Sequence, residues 1–329
     1  MMEQLDTFTY AHLVKAYPYV EDFFTTRELA IPDNEECLKD YLKKASDEAF
    51  IDKGLMKEEI LPELASFLLA MESLSCTSKI NTLTIQGGCS KKGEVEAVES
   101  LTIRVGEIIS VVGPTGSGKS RLLEDIECLA QKDTPTNRQI LIDGNTPGNS
   151  VRFSMDKKLV AQISQNMNFV MDCNAFDFVM MHSESRMVAN PEGVTKEILV
   201  LANELAGEPF SKDTALTNLS GGQSRALMIA DTALLSQSPI VLIDEIENAG
   251  VDRKKALDLL VKNEKIVFLA THDPLLALMA NRRIIINGGS MIKVLETNEQ
   301  EKTILTKLEE ADAFLTQARE QLRQGDVLH

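Results

Sequence analysis

Apolar positions along this chain follow two rhythms, and the change between them divides it. In the first 76 residues they recur at three- and four-residue intervals: Leu38, Tyr41, Leu42 and Ala45, then Leu61, Leu64, Phe67, Leu68 and Met71. Such spacing lines one face of a helix, so a helical accessory domain is predicted over 1–76. Asp33, three residues ahead of Glu36 and just after Pro32, predicts a capping box at the start of one of these helices. Cys76-Thr77-Ser78-Lys79 reads as a linker. Beyond it the period drops to two. Residues 80–85 and 101–105 alternate like strands, and Ile108–Val112, apolar but for Ser110, reads as a buried strand. Strands at 239–245 and 266–271 then alternate with helical stretches at 121–130 and 224–235. Residues 283–286 and 291–295 form a hairpin around Asn287-Gly288-Gly289. This alternation predicts an α/β fold with a mainly parallel sheet over about 77–298. Residues 299–329, rich in Glu, Gln and Lys, return to helical spacing as a C-terminal tail.

Three features then add chemistry. Gly113-Pro114-Thr115-Gly116-Ser117-Gly118-Lys119-Ser120 fits the phosphate-loop pattern, between a predicted strand and a predicted helix as that loop requires. Its glycines let backbone N–H groups turn around phosphates, and the helix N-terminus adds positive potential. Lys119 reaches the β- and γ-phosphates in this reading, and the Ser120 hydroxyl is a Mg²⁺ ligand. Pro239 to Glu245 is an apolar strand ending in two acids. Asp244 is positioned to hold Mg²⁺, directly or through water, and Glu245 to orient and polarise an attacking water. Leu219-Ser220-Gly221-Gly222-Gln223 precedes a helix and makes a second anion-binding corner. A site with one phosphate loop needs no second cradle, so Ser220, Gly221, Gly222 and Gln223 are expected to serve a nucleotide bound to another subunit.

In that order these motifs resemble the ATP-binding cassette (ABC) ATPases, over residues from about 80 to 295. The resemblance implies a phosphate-loop NTPase fold with a mixed sheet and a helical subdomain at about 166–235. It also implies ATP with Mg²⁺ as ligands. It places the family's glutamine loop at residues 161–166, with Gln165 as the Mg²⁺ and water ligand and Gln162 as its rival. The switch histidine, which contacts the γ-phosphate in the family, falls on His272, and the dimer-contact loop on residues 248–252. One departure concerns the base. The family stacks adenine on an upstream aromatic, yet no Phe or Tyr stands between Phe67 and Phe153. Val95, Val98 or a partner are the alternatives.

Composition narrows the role. Lys and Arg number 34 against 50 Asp and Glu, a formal charge of −16 that repels phosphate backbones and anionic lipid. That counts against nucleic-acid maintenance, a role of some relatives. The intact Glu245 and His272 count against a binding module without catalysis. No run of 18 apolar residues is present, so no direct membrane insertion is expected. The acidic N-terminus does not read as a signal peptide. Five scattered cysteines without a C-x-x-C read as reduced thiols, and a cytoplasmic protein is expected. The expected function is an ATPase closing as a head-to-tail dimer with a second ABC subunit. Its output is either a separate membrane permease or a soluble client protein that it remodels.

Overall fold

The computed structural model describes residues 8–17, 19–46, 50, 54–75, 80–153, 158–164, 169–244, 250–325 and 327. The chain falls into two compact units, Met1–Thr77 with Met181–Glu192, and Ser78–Met180 with Gly193–His329.

The first unit carries α1 (Tyr10–Ala16), α2 (Val20–Thr26), α3 (Leu38–Lys44) and α4 (Lys57–Ser75). Along α4, Ile60, Leu64 and Leu68 recur every four residues and are all buried, the helical period the sequence displays. They join a core of Tyr10, Leu13, Phe23, Phe24 and Tyr41. Phe24 meets Tyr10, Phe23 and Tyr41 edge-on, at centroid separations of 5.8, 5.5 and 6.0 Å. That geometry suits the ring quadrupoles. Asp33 opens no helix. The N–H groups of Tyr10 and Ala11, orphaned at the start of α1, donate to the carbonyls of Glu36 and Asn34, both at 2.9 Å. Cys37 pairs with Thr9, and α3 begins only at Leu38, without a side-chain cap.

The second unit carries, in chain order, β1 (Thr82–Gln86), β2 (Ser100–Arg104), β3 (Ile108–Val112), α5 (Lys119–Glu127), β4 (Gln139–Ile142), α6 (Asn149–Arg152) and β5 (Val160–Ile163). There follow α7 (Ala175–Ser185), α8 (Pro191–Leu205), α9 (Gly221–Leu234), β6 (Ile240–Asp244), α10 (Arg253–Lys262) and β7 (Ile266–Ala270). Last come α11 (Pro274–Met279), β8 (Arg282–Asn287), β9 (Ser290–Glu296) and α12 (Glu299–Gln324). Helices α7 and α8 each contribute residues to both units.

Six strands form one sheet in the order β5-β6-β7-β3-β8-β9, parallel except for β9. Strands β1, β2 and β4 form a separate antiparallel sheet. Every residue of β7 is buried, which explains its unbroken apolar run. Strand β2 instead alternates, with Leu101 and Ile103 inward. Among the described residues no helix is long and apolar enough to cross a membrane.

Register decides what meets at the sheet's C-terminal edge. Ala270 of β7 pairs with Val111 of β3 on one side and Asp244 of β6 on the other. Ile163 of β5 pairs with Ile243. Four parallel strands therefore end together, the edge where open α/β sheets place ligands.

At the opposite edge, just before β7, Lys265 is buried and donates to the carbonyls of Ser236 and Ser238 at 2.6 and 2.9 Å. Burial pushes its amine down to about 8. Its folded value lies below the unfolded one, so the fold carries the cost of a desolvated charge at all pH below about 8. That cost disappears as pH rises toward the ordinary lysine range. Relative to Lys265→Met, the wild-type chain should gain stability between pH 8 and 10.5, by about 3 kcal/mol at most. Urea denaturation of both proteins at pH 7 and 10 checks this, and parallel curves would contradict it.

Candidate active site

The loop between β3 and α5 holds the first set of predicted residues. Gly118 has φ +107°, a left-handed conformation that disfavours a side chain, and a Cβ there would come within 2.9 Å of Gly289 Cα. At Gly113 a Cβ would lie 2.2 Å from the carbonyl oxygen of Ile286. The loop is thus seated against the β8–β9 hairpin, and Gly289 donates its N–H to the Ser117 carbonyl at 2.7 Å. Pro114, Thr115 and Gly116 are exposed, as is Ser120 on the first turn of α5. Lys119 lies back along the loop, its Nζ 2.9 Å from the Gly113 carbonyl and 3.4 Å from that of Pro114. Ser117 Oγ is buried and makes no hydrogen bond.

These features suit a polyphosphate. The loop offers glycines bent away from side-chain interference, a cation held by two neutral carbonyls, and a helix N-terminus. A phosphate oxygen is a stronger acceptor for Lys119 than either carbonyl. Asp244, at the end of β6, and Ser120 are hard oxygen donors of the kind Mg²⁺ takes. His272 is exposed two residues beyond β7. It follows Thr271, whose N–H donates to the Val111 carbonyl of β3 at 3.2 Å. Its neighbour Asp273 caps α11 by accepting from the Leu275 N–H, and also takes Arg253 Nη1 at 2.6 Å. The phosphate loop, Asp244 and His272 therefore all stand at the C-terminal edge set by the strand register. Gln165 and Glu245 lie outside the described residues. Gln162, the rival to Gln165, is within β5.

The segment read as a second anion corner opens α9, which begins at Gly221, three residues earlier than the sequence predicts. Ser220 Oγ accepts from the Gln223 N–H at 3.3 Å, and Gln223 Oε1 accepts from the Ser220 N–H at 2.9 Å, a complete capping box. Ser220 and Gly221 are exposed. The surroundings differ from those of the phosphate loop. Gln223 Nε2 donates to the Glu208 carbonyl, and a Cβ on Gly250 would sit 3.9 Å from Gly222 Cα. Gly250 is itself latched to the end of α8. Its carbonyl accepts the Gly207 N–H at 2.9 Å, and the Asp252 N–H donates to the Leu205 carbonyl at 2.8 Å.

Two features of the site are not evident from sequence. Arg138, wholly buried, donates to Glu96 at 2.5 and 3.2 Å, to Asp125 of α5 at 2.8 Å, and to the Gly289 carbonyl at 2.8 Å. The hairpin turn under the phosphate loop thus rests on a buried ion cluster. Lys91, from the connection between β1 and β2, places its Nζ 3.1 Å from the Gly116 carbonyl. Of the two valines considered for the base, Val98 packs against the main core while Val95 is 85% exposed.

Residues 98–248 match the family described as ABC transporter. An uncharacterized ABC transporter ATP-binding protein of Methanocaldococcus jannaschii is 52% identical over 250 residues, covering 76% of this chain and 95% of that protein. A macrolide export ATP-binding/permease protein of Campylobacter fetus is 30% identical across 74% of this chain, but only 38% of its own length is spanned. Among solved structures, a protein of Clostridium perfringens described as part of an ABC transporter complex superposes with a TM-score of 0.50 at 19% identity. The match covers 74% of this chain and all of that one, a likeness of fold alone.

Proposed function

We propose that this chain, which belongs to the family of ABC transporter ATP-binding proteins, is the ATP-hydrolysing subunit of a transporter whose membrane-spanning part is a separate permease chain. The observation carrying this is the 52% identical relative, matched over 95% of its length and named an ABC transporter ATP-binding protein. The mixed sheet with the phosphate loop, Asp244 and His272 on one edge is the chemical counterpart of that match.

In this reading Lys119 leaves the Gly113 and Pro114 carbonyls for the β- and γ-phosphates of ATP. The loop N–H groups of residues 113–120 bind the phosphate oxygens. Ser120, Asp244 and Gln165 hold Mg²⁺, which supplies charge neutralisation at those oxygens. Glu245 takes the proton of the attacking water, and His272 donates to a γ-phosphate oxygen. Ser220, Gly221, Gly222 and Gln223 of a second cassette subunit close over the same γ-phosphate, so ATP joins two chains and hydrolysis releases them. The assembly sits at the cytoplasmic face of the membrane, held there by its permease.

Capture of full-length Glu245→Gln protein from detergent extract with ATP and Mg²⁺ tests the reading. A polytopic membrane protein should co-purify in fixed ratio, and exchange of ATP for ADP should release it. Retention of a soluble enzyme with the same nucleotide dependence would replace the transporter with an ATPase that remodels that client.

A further inference from the structure

Lys91 belongs to no motif read in the sequence and lies in a turn at residues 90–94. In the structure this turn is closed on itself. The Ser90 N–H donates to the Glu94 carbonyl at 2.8 Å and the Gly93 N–H to the Ser90 carbonyl at 2.9 Å. Ser90 Oγ accepts from the N–H groups of Lys92 and Glu94, both at 3.2 Å. The Lys91 N–H is pinned to the Gly288 carbonyl at 3.1 Å. Its stem lies against Gly289, where a Cβ would meet Lys91 Cγ at 3.0 Å. The exposed ammonium then lands 3.1 Å from the carbonyl of Gly116, in the middle of the phosphate loop.

Two ammonium groups therefore flank one short loop, Lys119 at residues 113 and 114 and Lys91 at residue 116, each on neutral carbonyls. For an exposed ammonium such a bond adds little over its hydration. A bond to a phosphate oxygen is charge-assisted and roughly twice as strong. The closed turn fixes the backbone of Lys91 in advance, so little ordering remains to oppose the transfer. We infer that Lys91 is a further nucleotide-binding residue, a second cation that moves from the Gly116 carbonyl to the phosphates of the bound nucleotide. This rests on the phosphate loop binding a nucleotide, as proposed above. It also accounts for a site with no aromatic residue between Phe67 and Phe153, because attraction at the phosphates does not depend on the base.

The test is calorimetric titration of ATP, GTP and ADP with Mg²⁺ into full-length wild type, Lys91→Met, Lys91→Arg and Lys119→Met, at low and high salt. Lys91→Met should weaken ATP and GTP equally, about tenfold, and flatten the salt dependence of binding. Lys91→Arg should restore both. Unchanged affinity in Lys91→Met, or weaker binding with the wild-type salt dependence, would make Lys91 a brace of the loop and overturn the inference. Failure of the wild type itself to bind any of the three, or wild-type affinity in Lys119→Met, would instead remove the underlying nucleotide site.

Discussion

Lys119→Met should weaken ATP binding by about a hundredfold or more, while Glu245→Gln should keep the binding and lose the turnover. Lys119 offers two or more charge-assisted bonds to phosphate oxygens, each contributing about 1.5–3 kcal/mol, so its removal should raise Kd by about a hundredfold or more. Turnover should fall further, by about 10³-fold, since this cation also faces charge that grows in the transition state. The fold should tolerate the change, because the bonds that Lys119 makes without nucleotide are to two loop carbonyls on a partly exposed face. A thermal-shift assay separates these effects. Saturating ATP at 100 times the wild-type Kd stabilises wild type and Glu245→Gln by about 2.7 kcal/mol, and should stabilise Lys119→Met by about 0.4 kcal/mol at most. An ATP-dependent shift of wild-type size in Lys119→Met would mean that the glycine loop is not the phosphate cradle.

The second large effect is on stability. Arg138→Met leaves Glu96 and Asp125 facing each other's buried surroundings without their shared cation. Breaking one partner out of a buried ion cluster costs about 3–5 kcal/mol, a large part of the 5–15 kcal/mol that holds a typical domain together. Asp125 Oδ1 already lacks a hydrogen-bond partner, and Thr136 Oγ1 donates only to Oδ2, at 2.8 Å. Arg138→Lys should recover little, since one ammonium cannot reproduce a planar fork that reaches two carboxylates and the Gly289 carbonyl. Replacing all three charges by apolar residues should recover part of the loss, not all, because Glu96 also accepts the N–H groups of Gly88 and Met291 at 3.0 and 2.8 Å. Urea midpoints of the single and triple variants check both statements. A single variant as stable as wild type would contradict the first.

Much of the sheet edge that carries the phosphate loop was legible because its elements announce themselves locally. A buried parallel strand is a short apolar run, a phosphate loop needs its glycines and lysine in order, and Ser220 with Gln223 is a capping box in one stretch of chain. Where local rules competed with tertiary partners they misled or fell silent. Asp33 and Glu36 satisfy a capping rule, yet the N–H groups that start α1 take the carbonyls of Asn34 and Glu36. Strand β4 went unread because Gln139-Ile140-Leu141-Ile142 is too short to show a period. Its existence depends on antiparallel pairing with β1, far earlier in the chain. Lys91 and Arg138 were invisible for the same reason: an exposed turn lysine and a polar-flanked arginine acquire partners only through tertiary contacts, Lys91 with Gly116 and Gly288, Arg138 with Glu96, Asp125 and Gly289.

The latch between Gly207 and Gly250 sets a tether. Asp244 ends β6 and Gly250 comes six residues later, so the connecting chain spans at most about 20 Å even fully drawn out. Gly250 is bonded to the end of α8 and lies beside Gly222. Within one subunit, then, the Gly250 latch beside the Ser220–Gln223 corner follows the acidic strand end by only six positions. In the head-to-tail pair proposed above, those two elements would serve different nucleotides. The separation of those two elements within one chain is bounded by the same short connection, which in the proposed pair would tie the geometry at one nucleotide to that at the other.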